Sequence, residues 1–401
     1  MCEDSSIEGP SPAPALSADA PSGGGISFRL TAEQEELRAL AHDFAERELR
    51  PIAELWDARD DYPPGLLAKA ARLGLTSYSI PHEHGGGGVD SVTAALIAEE
   101  LFWGCAGLAA TLQATMFPVR PLLRFGSEGQ RRRYLPLLAR EEGALGAIAF
   151  TEPHAGSDLA AMRATATRDG GGYVLSGEKA YVTNGGIADV TIVFAKLDGS
   201  VSAFLLERGD AGVTAGRKER KLGLRASYTG SILLDGARIP ADRLLGNEGQ
   251  GREIAADFFE SSRPQVAAGA VGVARAAFEY ATAYAREREA FGKPLLARQV
   301  ISFKLADMAI RVEAARLLVW RACEAVHRGE PAGVLGSYAK AFAADAALET
   351  AVDAVQVLGG AGIMRDHPVE KWLRDAKVFQ IVEGTSEIQR EIIAGHLRRD
   401  G

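Results

Sequence analysis

The chain has 401 residues, of which 47% are hydrophobic and 24% charged, and its formal net charge at pH 7 is −8. This length is enough for two or three packing units around a sizeable core, and the composition excludes a fibrous or wholly disordered protein. The acidic balance argues against broad nucleic-acid binding, which needs a basic face to displace counterions from phosphates. Three widely spaced cysteines favour a reducing compartment over a disulfide framework or a structural zinc site. No apolar run approaches the ~20 residues that a membrane-spanning helix needs.

The first 26 residues are rich in Ser, Pro, Ala and Gly, and they contain acidic residues but no Lys or Arg. A transit peptide would be basic, and a secretory signal would have a basic start and an apolar centre. We therefore predict a disordered tail and a cytoplasmic protein.

Residues 27–142 have the periodicity of an α-helical domain. Thr31 and Gln34 have capping-box spacing, and an apolar stripe with helical spacing follows them. Pro51 is expected to end or kink this first helix. Further helices are predicted around residues 91–103 and 130–138.

Residues 143–250 have the character of a small antiparallel β domain, a sandwich or a barrel. Short β-prone runs are separated by turn signals rich in Gly and Asp. The predicted strands cover residues 173–175, 190–194, 201–206 and 231–234, and the predicted turns cover residues 169–172, 198–199 and 235–236.

Residues 251–401 predict a C-terminal four-helix bundle. One long stripe of apolar residues alternates steps of four and three, as the buried seam of a bundle helix does. The stripe consists of Ile301, Leu305, Met308, Val312, Ala315, Val319, Ala322 and Val326. The predicted fold class is therefore α+β and mainly α, with helical, β and helical-bundle domains in that order.

Three polar segments could carry chemistry. Residues 151–158 (TEPHAGSD) follow an apolar run, and their hydroxyls and main-chain N–H groups could meet an anion or a polar ring edge. A capped turn is the alternative for this segment. Residues 181–186 contain an Asn-Gly turn, which a plain hairpin would also explain. Residues 288–294 follow a long helix, where Arg288 and Lys293 could simply be cations near a helix C-terminus.

A fourth segment, residues 381–390, contains Glu383. Ser386 and Gln389 have capping-box spacing, so Glu383 is predicted just before a helix N-terminus. The apolar residues Ile381 and Val382 precede it. A structural Glu at this place would merely complement the helix dipole.

The acyl-CoA dehydrogenase family has signatures that resemble five stretches of this chain, namely residues 149–158, 181–186, 288–293, 356–362 and 374–389. The resemblance runs from about Leu30 to the C-terminus, and the five matches occur in the family's order. It implies FAD bound between the β domain and the bundle. Because the family completes each cofactor site across a subunit boundary, it also implies a homo-oligomer, usually a tetramer.

The resemblance assigns roles position by position. Positions expected to contact FAD within the subunit are Phe150, Thr151, Gly156, Ser157, Tyr181, Thr183, Thr385 and Glu387, with the Thr183 hydroxyl near the flavin N5. Positions expected to reach the FAD of a neighbouring subunit are Arg288, Phe291, Gln299, Gln356 and Gly360. Positions expected to bind substrate are Ser157, Glu260, Arg263 and Gly384.

The implied reaction is the α,β-dehydrogenation of a saturated acyl thioester, an acyl-CoA, to its trans-2-enoyl form. Glu383 would remove the α-proton while the β-hydrogen leaves as hydride to the flavin N5. The Glu383 N–H and a flavin ribityl hydroxyl would hold the thioester oxygen, and a bound acyl chain would raise the pKa of the base. An electron-transfer flavoprotein is the expected acceptor. The same reaction on a carrier-protein thioester stays open, and a non-catalytic assembly subunit is less favoured.

Three positions depart from the family pattern. Tyr181 stands where many members have Trp, and Val382 where several have a larger aromatic residue. Ser262 occupies the position of the alternative base in a branched-chain subgroup, but a hydroxyl cannot serve as that base. The depth of the acyl pocket is expected to depend on Gln113 and residues 107–117.

Two other patterns are set aside. His82 and His84 flank Glu83, but the Pro and Gly residues around them indicate a surface loop, so no metal site is predicted. The glycine-rich residues 359–362 lie between helices without the preceding strand of a dinucleotide-binding fold.

Overall fold

The N-terminal part of the chain is helical in the computed structural model, which describes residues 28–399. The tail predicted for residues 1–26 lies outside this range. The helices are α1 (Ala32–Phe44), α2 (Ala53–Arg59), α3 (Leu66–Arg72), α4 (Ser91–Gly104), α5 (Ala106–Ala114), α6 (Val119–Phe125) and α7 (Glu128–Ala139).

The start of α1 confirms the predicted capping box. The Thr31 hydroxyl accepts from the Gln34 N–H, and the Gln34 side chain accepts from the Thr31 N–H. Beyond α1 the helix loosens into a π-helical turn and then tightens into a 3₁₀ turn that contains Pro51. Proline therefore ends the regular helix, because it cannot donate the N–H that an α-helical ladder requires.

The middle of the chain forms one sheet. Its strands are β1 (Gly146–Ala149), β2 (Thr165–Asp169), β3 (Gly172–Thr183), β4 (Val190–Leu197), β5 (Ser200–Glu207), β6 (Val213–Lys218), β7 (Thr229–Pro240) and β8 (Leu244–Leu245). The strand order is β6-β7-β3-β2-β4-β5-β8, and β1 pairs with β4. Most pairs are antiparallel, as predicted, but β1 and β2 both run parallel to β4. The sheet is therefore mixed.

The predicted turns have two different outcomes. Residues 169–172 and Asp198–Gly199 connect antiparallel strands. Positive φ angles occur at Gly170, Gly171, Asp198 and Gly199, as tight hairpins require. Asp235 and Gly236 instead lie inside β7, where the register with β3 shifts. Gly236 has φ +62°. Its Asp-Gly signal therefore marks a β-bulge and not a strand end.

The C-terminal part is a helical bundle. It consists of α8 (Gly251–Glu287), α9 (Gln299–His327), α10 (Gly333–Leu358), α11 (Val369–Phe379) and α12 (Ser386–Leu397), with a small hairpin of β9 (Glu289–Ala290) and β10 (Lys293–Pro294) between α8 and α9. The predicted α9 seam is confirmed: its members Leu305, Met308, Val312, Ala315, Val319 and Ala322 are buried, and Ile301 and Val326 at its ends are half-buried.

Helices α8 and α4 join the bundle to the N-terminal helices in one core. Gly272 allows their close approach, since a Cβ atom there would lie 2.3 Å from the Glu99 carbonyl oxygen. No helix in residues 28–399 is long and apolar enough to cross a membrane.

A buried charged cluster ties the three parts of the chain together. Arg374 in α11 pairs with Asp57 in α2, with 2.9 Å between Nη2 and Oδ2. The Asp375 carboxylate accepts from the Leu224 N–H at 2.7 Å and from Lys371 Nζ at 2.5 Å. The loop between β6 and β7 is thereby fixed against the bundle, which sets the relative position of the sheet and α11.

Asn184 provides a second link, between the end of β3 and α5. It is fully buried, has φ +60°, and its Nδ2 donates to the Thr111 and Gly146 carbonyls at 3.2 and 3.1 Å. We expect Asn184→Asp to lower the free energy of unfolding by about 3 kcal/mol, because it places a buried charge against two carbonyl oxygens. Urea denaturation measures this loss. The exposed Asn247→Asp is the control, and equal stability of the two variants would contradict the assigned role.

Candidate active site

Glu383 lies in the tight connection between α11 and α12. Glu383 has φ +56° and Gly384 φ +89°, so the chain reverses through two left-handed residues. Thr385 caps α12, its hydroxyl accepting from the Ile388 N–H at 3.2 Å. The predicted Ser386–Gln389 capping box is therefore wrong, because the cap is Thr385, one residue earlier. The prediction that Glu383 lies just before a helix is confirmed. Gln389 is free for another role.

The Glu383 carboxylate faces α8. Its Oε2 accepts a hydrogen bond from Ser262 Oγ at 2.9 Å, and the side chain is half-buried. Burial raises the pKa of Glu383 above 4.5, while the Ser262 hydrogen bond and the positive charges of Arg263 and Lys340 oppose that rise. A carboxylate with a raised pKa beside an open cavity is suited to accept a proton from a weak carbon acid.

The Ser262 contact was missed by the sequence reasoning, which considered this residue only as a base. Its match to the family's alternative base position was the available signal. Ser262 lies on α8 opposite the connection that contains Glu383, so its hydroxyl can hydrogen-bond the carboxylate.

A cavity of about 220 Å³ between α4, α5, α6 and α8 is lined in part by Ser262. Its apolar lining includes Val89, Ala94, Met116, Phe117, Val119, Leu123, Phe258 and Val326, and its polar lining includes Tyr78, Ser79, Ser91, Gln113, Arg120, Ser261, Ser262 and Gln265. The Gln113 amide nitrogen donates to the Gln265 carbonyl at 3.2 Å. The segment expected to set pocket depth thus contributes Gln113, Met116 and Phe117.

Glu260 and Arg263 lie on α8 near Glu383. Glu260 Oε1 accepts from the Ala332 N–H, and the Arg263 guanidinium lies 5.3 Å from the centre of the Phe259 ring. Arg263 Nε is buried without a partner in the described chain. Burial lowers the pKa of Arg263, opposed by the charges of Glu383 and Glu260. These two charged groups remain available to a polar ligand approaching Glu383.

The loop at residues 151–158 leaves β1, and a buried ion pair holds it in place. Lys179 Nζ, fully buried, donates to Glu152 Oε1 at 2.8 Å and to the Phe150 carbonyl at 3.2 Å. Glu152 also accepts from the N–H groups of Arg163 and Ala164, at 2.6 and 2.9 Å. Sequence reasoning missed Lys179, because only the fold brings β3 under the loop.

The same loop fits a polar cofactor. The Thr151, Ser157 and Thr183 hydroxyls make no hydrogen bond within residues 28–399, and a Cβ on Gly156 would meet nothing within 4 Å. Tyr181 is 62% exposed beside them, with φ +57°. Free hydroxyls, an open glycine and an exposed aromatic ring are the groups that a dinucleotide and its ring system need.

The other predicted cofactor positions lie on the outer surface of the bundle. Arg288, Phe291, Gln299, Gln356 and Gly360 are all exposed in the single chain. Phe291 is 95% exposed, which is unusual for a large apolar side chain. They do not share the cleft of Glu383. Thr385 caps α12, and Glu387 is exposed in its first turn.

The three parts of the chain match the three domains of one family. The N-terminal domain of acyl-CoA dehydrogenase matches residues 31–142, the middle domain residues 147–237, and the C-terminal domain residues 249–397. The chain is also 46% identical over 376 residues to an acyl-CoA dehydrogenase of Bacillus subtilis (strain 168), covering 92% of this chain and 99% of the relative. It belongs to the acyl-CoA dehydrogenase family.

Solved structures agree with this membership. Butyryl-CoA dehydrogenase from Megasphaera elsdenii is 40% identical with a TM-score of 0.90, covering 93% of this chain and 100% of that one. PigA with FAD and proline is 33% identical with a TM-score of 0.89, covering 94% and 100%. The prolyl acyl carrier protein oxidase AnaB is 31% identical with a TM-score of 0.87, covering 92% and 100%. The chain is an enzyme of this class, and its cofactor is FAD.

Proposed function

We propose that this enzyme removes one hydrogen from each of the α- and β-carbons of a saturated acyl-CoA, with Glu383 as the base. The hydrogen bond between Glu383 and Ser262, a residue that also lines the cavity, carries this proposal. An acyl chain that enters the cavity past Ser262 brings its thioester end towards the carboxylate. The product is the trans-2-enoyl thioester.

In the proposed mechanism, Glu383 takes the α-proton as the bond between Cα and that hydrogen breaks. Bound FAD supplies the acceptor for the β-hydrogen, which leaves as hydride, and the electrons of the broken α-bond form the new double bond. The Glu383 N–H has no hydrogen-bond partner in the described part of the chain and is available to the thioester oxygen. Such a donor stabilises negative charge as it develops on that oxygen. Phe150, Thr151, Gly156, Ser157, Tyr181, Thr183, Thr385 and Glu387 are the proposed cofactor contacts.

The cavity supports a short or medium acyl chain. A cavity of about 150 Å³ holds benzene, so one of about 220 Å³ holds an acyl group of roughly eight carbons or fewer. The phenyl ring of Phe117 packs edge-on against Phe258, with 5.4 Å between ring centres. Both rings line the cavity and limit its width. We infer that long-chain thioesters are poor substrates.

A carrier-protein thioester is the second candidate substrate. The similarity to the prolyl acyl carrier protein oxidase AnaB favours it. The chemistry at Glu383 would be the same, because only the group beyond the thioester differs. Glu260 and Arg263 are proposed to contact the pantetheine arm, which both kinds of substrate share.

The assembly is proposed to be a homotetramer. Phe291, Phe303 and Ile310 are 95%, 62% and 65% exposed, and a partner subunit would bury these large apolar side chains. Arg288, Phe291, Gln299, Gln356 and Gly360 would then meet the FAD of the neighbouring subunit.

Two further proposals follow from the family resemblance, an electron-transfer flavoprotein as acceptor and a role in fatty acid metabolism. A cytoplasmic location is proposed from the composition of the first 26 residues. The proposed domain boundaries are 27–142, 143–250 and 251–401, after the tail at residues 1–26.

Anaerobic mixing of the purified flavoprotein with straight-chain acyl-CoAs of increasing length tests the proposal. We expect bleaching of the oxidised flavin band, fastest for chains of roughly four to eight carbons, because these fill the cavity without exceeding it. The matching enoyl-CoA is the control, since it binds but cannot reduce the flavin. Bleaching only by carrier-protein thioesters would favour the second candidate. No bleaching by either class would refute the dehydrogenase proposal.

A further inference from the structure

Lys340 is a buried cation beside the proposed base Glu383, and the proposed mechanism gives Lys340 no role. It lies in the first third of α10, is 1% exposed, and its Nζ donates to the Gly384 carbonyl at 2.6 Å. A buried ammonium is costly unless it compensates a nearby charge or fixes a polar group. Its hydrogen-bond acceptor is the peptide that directly follows the base.

Gln389 holds the same connection from the other side. It is fully buried, and its Nε2 donates to the Gly384 carbonyl at 2.9 Å and to the Glu383 carbonyl at 3.3 Å. A Cβ on Gly384 would lie 2.7 Å from this nitrogen. The two consecutive carbonyls of Glu383 and Gly384 are therefore fixed by side chains from two different helices.

The backbone at Glu383 needs such support. Its φ of +56° is unfavourable for a residue with a Cβ, and this conformation persists only where the surroundings enforce it. The same conformation directs the carboxylate to Ser262 and leaves the Glu383 N–H unpaired within residues 28–399. The geometry of the base thus depends on the two side chains that hold its carbonyl groups.

We propose that Lys340 is a positioning residue, which together with Gln389 holds Glu383 in its reactive orientation and with its charge favours the ionised carboxylate. This inference rests on the proposed function of Glu383 as the base. The Lys340 ammonium hydrogen-bonds the Gly384 carbonyl and not the Glu383 carboxylate. It positions Glu383 by holding the Gly384 peptide, and its positive charge stabilises the ionised Glu383 carboxylate.

Several charged groups surround Glu383 and Lys340, and together they determine how Lys340 affects the pKa of Glu383. Arg263 and Glu260 face this region from α8, Asp345 lies on α10 with Lys340, and Glu387 lies on α12. Burial lowers the pKa of Lys340 to about 8, while the charge of Glu383 opposes that shift. Lys340 is therefore mostly protonated at neutral pH, and its positive charge lowers the pKa of Glu383. Removing that charge must raise the pKa of Glu383.

Lys340→Met, which keeps most of the length of the side chain but removes its charge, tests this inference. We expect the acid limb of the kcat/KM profile to move up by roughly one pH unit, because an opposite charge nearby is lost. Infrared titration of the protonated carboxyl band should show the same shift without any turnover. The band is assigned by its absence in Glu383→Gln. Lys69→Met removes an exposed cation and should leave both readouts unchanged.

Gln389→Ala separates geometry from charge. It removes a neutral donor, so we expect kcat to fall by about tenfold or more without a shift of the infrared band. Lys340→Gln provides a second neutral variant if Lys340→Met folds poorly.

An unchanged Glu383 band in a folded Lys340 variant would overturn the inference, even if dehydrogenation is confirmed. Wild-type protein that reduces no flavin with any thioester would instead refute the proposed function. The infrared titration would still decide the role of Lys340.

Discussion

Glu383→Gln is expected to lower the rate of flavin reduction by an acyl-CoA by about 10⁴-fold, while FAD and product binding persist. The amide has nearly the shape of the carboxylate and can still accept the Ser262 hydrogen bond, but it cannot take the α-proton. Stopped-flow measurement of flavin bleaching under anaerobic conditions gives the rate. Glu391→Gln on the exposed side of α12 is the matched control and should react at the wild-type rate.

The rate of acyl-CoA dehydrogenation is expected to fall at low pH. The base must be ionised, and burial raises the pKa of Glu383 above 4.5. Wild-type kcat/KM should therefore fall as the pH decreases through this raised pKa, at a higher pH than an exposed carboxylate would give. Near-normal turnover in Glu383→Gln would refute the assignment of the base. Loss of FAD from that variant would mean that it tests folding and not catalysis.

Lys179→Met is expected to lower the free energy of unfolding by about 3–5 kcal/mol, because it leaves the Glu152 carboxylate buried without its cation. The same variant should retain less FAD, since Lys179 also holds the Phe150 carbonyl at the start of the cofactor loop. Urea denaturation with protein fluorescence measures the stability. The ratio of flavin absorbance to protein absorbance after gel filtration measures cofactor retention.

A double-mutant cycle isolates the ion pair from its neighbours. Glu152→Gln combined with Lys179→Met should cost less than the sum of the two single changes, since neither buried charge then remains unpaired. Lys196→Met is the control, because the Lys196 Nζ donates to the Ala160 carbonyl at the surface, and it should cost about 1 kcal/mol or less. Strict additivity in the cycle would show that the pair does not act as a unit.

Local features of the fold followed from local sequence. The α1 capping box and the α9 seam involve residues three or four positions apart, so their spacing in the chain already contains the geometry. The position of Glu383 before α12 was predicted for the same reason. The direction of the strands was not: β1 and β2 run parallel to β4, a relation between segments about 30 to 45 residues apart that alternating or apolar runs do not encode.

The residues proposed for the chemistry show the same contrast between features set by local sequence and features set by the tertiary fold. By itself the sequence determined the three-part α–β–α order, and through its family signatures it identified the segment of Glu383 and the loop at residues 151–158. Only the tertiary structure decided which groups act on them. Ser262 meets Glu383 across 121 positions, and Lys340 reaches Gly384 across 44. The physical reason is that a hydrogen bond between helices depends on the packing of whole elements, whereas a cap or a seam depends only on the few residues that form one turn.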